Sequence, residues 1–103
     1  MSNNFFENIT PDYSKELFYT LFENKKVLIE KIVSAGQVSP TNFWYDQDTD
    51  EWLIILDGST TIEFEDQLIE LKKGDSYFIP AHLKHRVSSA KFNTIILAVH
   101  LKN

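Results

Sequence analysis

From residue 26 onward the chain is a succession of short β-prone runs, none longer than ten residues, each closed by turn-forming residues. They read KVLIEKIVS (26–34), EWLIILDG (51–58), TTIEFED (60–66), QLIELKKGD (67–75), SYFIPA (76–81), HRVSS (85–89) and NTIILAVHLK (93–102). Between them stand Ser34-Ala35-Gly36, Asp57-Gly58, Glu65-Asp66, Gly74-Asp75 and Pro80, which are turn signals with a backbone reason for each. No helical pattern of roughly 10–15 residues intervenes, so a parallel βαβ sheet is excluded. Closely spaced strands with tight turns predict an all-β barrel or sandwich built from antiparallel neighbours.

Alternation adds detail. In 60–66, Ile62 and Phe64 share one face and Thr61, Glu63 and Glu65 the other, as in a half-exposed strand. In 51–57, Trp52, Ile54 and Leu56 oppose Leu53 and Ile55, so both faces are apolar and both require cover. A barrel core covers one of them; a second copy of the chain is the expected cover for the other, which predicts a homodimer. The segment before residue 26 reads two ways. YSKELFYTLFENKK fits a short amphipathic helix, or a strand turning at Glu23-Asn24-Lys25 to pair with 26–34; its Phe and Tyr content and Asn24 favour the hairpin.

The chain's 103 residues suffice for one domain, expected over 1–103, with 1–25 as an N-terminal extension or strand and 26–101 as the barrel. The formal charge is −5, Arg86 is the sole arginine, and the lysines are scattered. A basic face for nucleic acid or an anionic membrane is therefore not expected. No apolar run approaches the roughly 20 residues of a membrane span, and the MSNNFFENIT start lacks a basic region followed by an apolar one. The absence of cysteine excludes disulfides and thiolate sites, and agrees with an expected cytoplasmic location.

The chemistry concentrates in two places. The first is YDQDTDEWLIILDG (45–58), where Asp46, Asp48, Asp50 and Glu51 crowd together ahead of an apolar run. The Asp46-x-Asp48-x-Asp50 spacing imitates the start of a calcium loop. The glycine that should follow is Glu51, however, no helices flank it, and position 12 is Asp57, so a polar turn is expected for Asp48 and Asp50. The second is GDSYFIPAHLKHRV (74–87), which holds two of the three histidines, His82 and His85; the third, His100, ends the last run. His100 shares a face with Thr94, Ile96 and Ala98 and reads as a pocket residue or, preferably, as an exposed strand end. Arg86 should face away from its neighbour His85 and pair with the acidic surface.

Gly74, five residues, Pro80, then His85 resembles the second motif of the cupins, G-x5-P-x-G-x2-H-x3-N, with His82 at the glycine position and Ser89 at the asparagine. Glu51, six residues, Gly58 matches the last half of their first motif, G-x5-H-x-H-x3–4-E-x6-G, and 15 residues separate Gly58 from Gly74. The resemblance implies an all-β, cupin-like antiparallel barrel, the double-stranded β-helix or jelly roll. It also implies a divalent metal near the mouth, held by the first motif's two histidines, its glutamate and the second motif's histidine. Here the histidine pair is absent: one spacing puts Trp44 and Asp46 in its place, the other Tyr45 and Gln47. The candidate metal ligands are thus Glu51, His85 and Asp46, for Mn(II), Fe(II), Ni(II) or Zn(II), with a metal-free site an equal alternative. Trp44, Tyr45, Gln47 and His82 are the candidate ligand-pocket residues, His82 also fitting a left-handed turn. No residue is assigned to catalysis. The expected function is binding of a small molecule in the barrel pocket; the alternative is a metal-dependent dioxygenase or isomerase acting on a small organic acid or sugar derivative.

Overall fold

A computed structural model describes residues 3–102, which form eight β-strands and, among the described residues, no helix. β1 (Leu17–Glu23) and β2 (Val27–Ser34) form a hairpin; β3 (Asp50–Asp57), β4 (Ser59–Phe64), β5 (Leu68–Lys72), β6 (Ser76–Ile79), β7 (His85–Ala90) and β8 (Thr94–Leu101) follow. The ambiguous segment before residue 26 is thus a strand. Its turn is fixed by Asn24, whose side-chain oxygen accepts from the Lys26 and Val27 amides at 2.8 and 2.9 Å.

The strands assort into a five-stranded sheet, β1-β2-β8-β3-β6, and a three-stranded sheet, β5-β4-β7, antiparallel throughout. The two close on each other as a jelly roll around Ile32, Leu53, Ile55, Ile62, Phe64, Leu71, Ile79, Ile96 and Ala98. The alternation in 60–66 is realised in β4, whose Thr60, Ile62 and Phe64 turn inward. Each large aliphatic side chain buried this way contributes about 1.5–3 kcal/mol.

The outer face of the larger sheet is also apolar. Register lines up Phe22, Ile29, Val99, Trp52 and Phe78 as one row across all five strands, because directly opposed residues share a face. Phe22 and Phe78 are about half exposed. The neighbouring row, Tyr19, Lys31, Leu97 and Ile54, meets the N-terminal segment. There the Lys31 ammonium donates to the carbonyls of Phe5 and Glu7 and lies 5.5 and 5.0 Å from the Phe5 and Tyr19 ring centres. Its charge is therefore spent outside the barrel.

Gly58 joins β3 to β4 at φ +79°, and a Cβ there would lie 2.5 Å from Thr94 Oγ1 and 2.8 Å from Thr94 Cα. Gly74 has φ +90° but open space around it. Left-handed strain costs a non-glycine residue about 1–3 kcal/mol at either position, and overpacking adds about 1–3 kcal/mol at Gly58 alone. Urea denaturation should therefore rank Gly58→Ala clearly below Gly74→Ala in stability; equal midpoints would remove the packing argument.

Candidate functional site

The site grows out of the inner faces of β2, β8 and β3. Along β3, Glu51, Leu53 and Ile55 are buried in alternation with Trp52 and Ile54, which makes Glu51 the polar end of an apolar row. Its cross-strand partner on β8 is His100. On β2, Glu30 stands one inward position from Ile32, and its Oε1 lies 2.9 Å from His100 Nε2.

His85 opens β7 opposite this row. A two-way backbone bridge holds it to Tyr45: the Tyr45 N–H donates to the His85 carbonyl at 2.7 Å, and the His85 N–H donates back at 3.1 Å. The bridge stacks the two rings, with centres 5.5 Å apart and planes 25° apart. The His85 side chain is fixed as well, since Nδ1 lies 2.9 Å from the Leu83 carbonyl. A carbonyl can only accept, so Nδ1 carries a proton; in the neutral tautomer Nε2 is then the acceptor.

These groups line a cavity of about 130 Å³ whose polar wall is Glu16, Glu30, Tyr45, Gln47, Glu51, Thr60, His85 and His100, on a bed of apolar side chains. Glu51 and His85 are each only 6% exposed. Among the described residues no hydrogen bond reaches the Glu51 carboxylate, although His100, His85 and Glu30 act on it electrostatically. Gln47 Oε1 is buried without a hydrogen-bond partner.

Tyr45 and Gln47 line the cavity, while Trp44, Asp46 and His82 are absent from its wall. Strand-like alternation around the Tyr45 bridge sends odd and even positions to opposite sides. Asp46 instead meets His82 on the surface, Oδ1 to Nδ1 at 2.8 Å, with both side chains widely exposed. This removes Asp46 as a ligand beside Glu51 and selects the Tyr45/Gln47 spacing. His82 has φ +64°, the left-handed turn, and its amide donates to the Gln47 carbonyl at 2.7 Å. Asp50 Oδ1 accepts from the Ala81 amide at 2.8 Å, so the acidic stretch ties its own loop to the turn after Pro80. His100 is not an exposed strand end; it lines the cavity, as do Glu16 and Glu30, which the motifs do not mark. The available signal was its inward register with Ile96 and Ala98. Arg86 faces away, donating to Glu63 at 2.8 Å and to the Ser39 carbonyl at 2.9 Å.

Burial pushes the Glu51 carboxyl above the usual carboxylate range; the imidazoles of His100 and His85 oppose this and Glu30 adds to it. Burial, and then Glu30, raise Glu16. The bond to Glu30 raises His100 despite its burial. Burial, with Glu16 and Glu51 adding to it, raises the Tyr45 phenol and so holds it neutral at pH 7.

These donors do not fit a resident divalent metal. A neutral phenol and an amide take two of the four positions that the resemblance gives to ligands, and His100 already engages Glu30. Among the described residues no three His, Asp or Glu groups come together as a metal site.

A carboxyl raised by burial binds its proton more readily folded than unfolded. Its contribution to stability is present below the ordinary value of 4.5 and is lost as pH rises through the folded value. Glu51→Gln keeps the shape without the charge. Its melting temperature should exceed that of the parent at about pH 8, and the gap should close below about pH 4.5; a pH-independent difference would contradict the burial argument.

The chain was compared with known proteins. The family model described as a cupin domain matches residues 30–99, and no curated protein matches the chain. Among solved structures, a candidate mannose-6-phosphate isomerase from Ralstonia eutropha JMP134 is 37% identical, with a TM-score of 0.93 over 100% of this chain and 99% of that one. A cupin superfamily protein from Desulfitobacterium hafniense DCB-2 is 25% identical, with a TM-score of 0.79 over 92% of this chain and 84% of that one. KdgF from Halomonas sp., at 13% identity and a TM-score of 0.73 over 85% and 81% of the two chains, shares the fold. With its family model spanning most of the eight strands, this chain belongs to the cupin domain family.

Proposed function

We propose that this cupin domain binds a small polar organic molecule in the barrel cavity, without a resident metal. One observation carries the reading: Glu51, almost wholly buried and free of hydrogen bonds, faces a cavity together with the open Nε2 of His85. A buried carboxyl is costly unless something meets it, and a ligand is what would meet it. The aliphatic bed would hold the ligand's body and the polar wall its functional groups, the usual division of labour in small-molecule sites. A cytoplasmic location belongs to this reading, consistent with the lack of cysteine.

The test is a fragment screen by NMR on the full chain. Hits should perturb the amides around Gln47, Glu51 and His85. They should be lost in Val87→Phe, which puts a bulkier side chain on the cavity wall for about 1–3 kcal/mol of stability. A screen without any hit at those amides would sink the proposal.

A second reading, a sugar isomerase, has its own support. The candidate mannose-6-phosphate isomerase is similar over its whole length, and isomerisation of a sugar moves a proton between adjacent carbons. A carboxyl raised by burial, opposite an imidazole acceptor, suits such a transfer. Solvent deuterium entering the sugar carbon, and ceasing in Glu51→Gln, would favour this reading.

The protein in this reading is also a homodimer. The row Phe22, Ile29, Val99, Trp52 and Phe78 presents a continuous apolar surface, and a second copy offers an identical one for a two-fold contact. Light scattering should give a dimer, and Trp52→Glu should weaken it by about 2 kcal/mol or more. A monomeric parent at high micromolar concentration would refute it.

A further inference from the structure

We propose that the cavity selects an organic cation, a primary ammonium on a compact apolar body, and rejects anions. This rests on the reading of the cavity as a ligand site and adds the ligand's charge and hydrogen-bonding sense.

Hydrogen-bond direction is the first ground. On the wall the Glu51 carboxylate accepts, and so does His85 Nε2 in the neutral tautomer set by Leu83; Tyr45 and Gln47 add one phenol and one amide that can donate as well as accept. The Thr60 hydroxyl spends its proton on the Ser89 carbonyl at 3.1 Å and keeps only lone pairs for the cavity. A ligand that satisfies these acceptors must bring donors, and an ammonium brings three on one atom.

Charge is the second ground. Glu16, Glu30 and Glu51 stand on the wall, and among the described residues no lysine or arginine does. Lys31 is held by the N-terminal segment and Arg86 by Glu63, both outside the barrel. A carboxylate or phosphate entering here would face three carboxyls, with only imidazoles to oppose them. A cation is attracted by the same field, which the aliphatic surroundings strengthen. It would also relieve the mutual repulsion of the glutamates.

Shape is the third. Ile32, Leu53, Ile62, Ile79 and Ile96 form a bed without a hydrogen-bonding group, suited to a short hydrocarbon body. The Tyr45 ring stands at the polar end of this bed, stacked on His85. A bare metal ion would use neither the bed nor the ring, and the three-ligand set it needs is missing among the described residues.

The experiment titrates the full chain at pH 7 with four probes of one size: n-butylammonium, n-butanol, butyrate and butyl phosphate. Zn²⁺ is a fifth arm. Amide shifts at Gln47, Glu51 and His85 report cavity binding. Butylammonium should bind best, butanol more weakly, and the two anions not at all. Glu51→Gln should weaken butylammonium by about tenfold or more, the size of one charge-assisted hydrogen bond. Glu16→Gln, at a less buried position, should weaken it in the same direction and guards against a folding defect at Glu51. Stronger binding of butanol, butyrate or butyl phosphate would overturn the inference while leaving the ligand site standing. So would Zn²⁺ binding lost in Glu51→Gln without any butylammonium binding. Silence of all five would overturn both the inference and the ligand site.

Discussion

The register of β8 between β2 and β3 is the constraint on which the rest of the molecule depends. It pairs His100 with Glu51 on one side and with Leu28 on the other, and Ile96 with Ile55 and Ile32. One end of the barrel interior is thereby polar and the other aliphatic. A slip of one residue would turn His100 outward and bring Leu101 in. It would also bury the ring of Trp52 or expose Leu53, so the core that stabilises the sheet enforces the register that builds the site.

The cavity end is held by different means. Hydrogen bonds there run between backbone and loop: Tyr45 with His85, His82 with Gln47, Ala81 with Asp50, and His85 with Leu83. These bonds place the Tyr45 and His85 rings; of the inward groups Glu30 and His100 bond each other, while among the described residues no hydrogen bond reaches the Glu51 carboxylate. Glu51 is destabilised by its burial, and the apolar packing below it compensates. The polar end of the close-packed barrel is thus where the rules of core packing are relaxed.

The same alternation that builds the interior leaves the outer face of the larger sheet apolar, and the N-terminal segment meets one row of it through Lys31. That contact removes a cation from the barrel's neighbourhood. The interior field is therefore set by glutamates and histidines, although the chain carries ten lysines and arginines. Where each charge is spent matters more for recognition than the net charge of the chain.

The sequence by itself determined the strands from residue 26 onward, because side-chain alternation and turn chemistry are local: Ile62 with Phe64 inward, turns at Gly58 and Gly74. The segment before it reads as either helix or hairpin, and the structure makes it a strand. Two motif fragments carried the cupin resemblance, and they marked Glu51 and His85, which the structure brings to one cavity. Only the tertiary structure decided between Tyr45/Gln47 and Trp44/Asp46, since both spacings suited the motif and the outcome depended on a bridge to His85, 40 positions away in the chain. It alone recruited Glu16, Glu30 and His100, which stand in no motif and meet through pairing of strands distant in sequence. It alone sent Asp46 to His82 on the surface. Local patterns fix which side of a strand a residue occupies; which residues share a cavity depends on how the sheets close, and that is settled by packing over the whole chain.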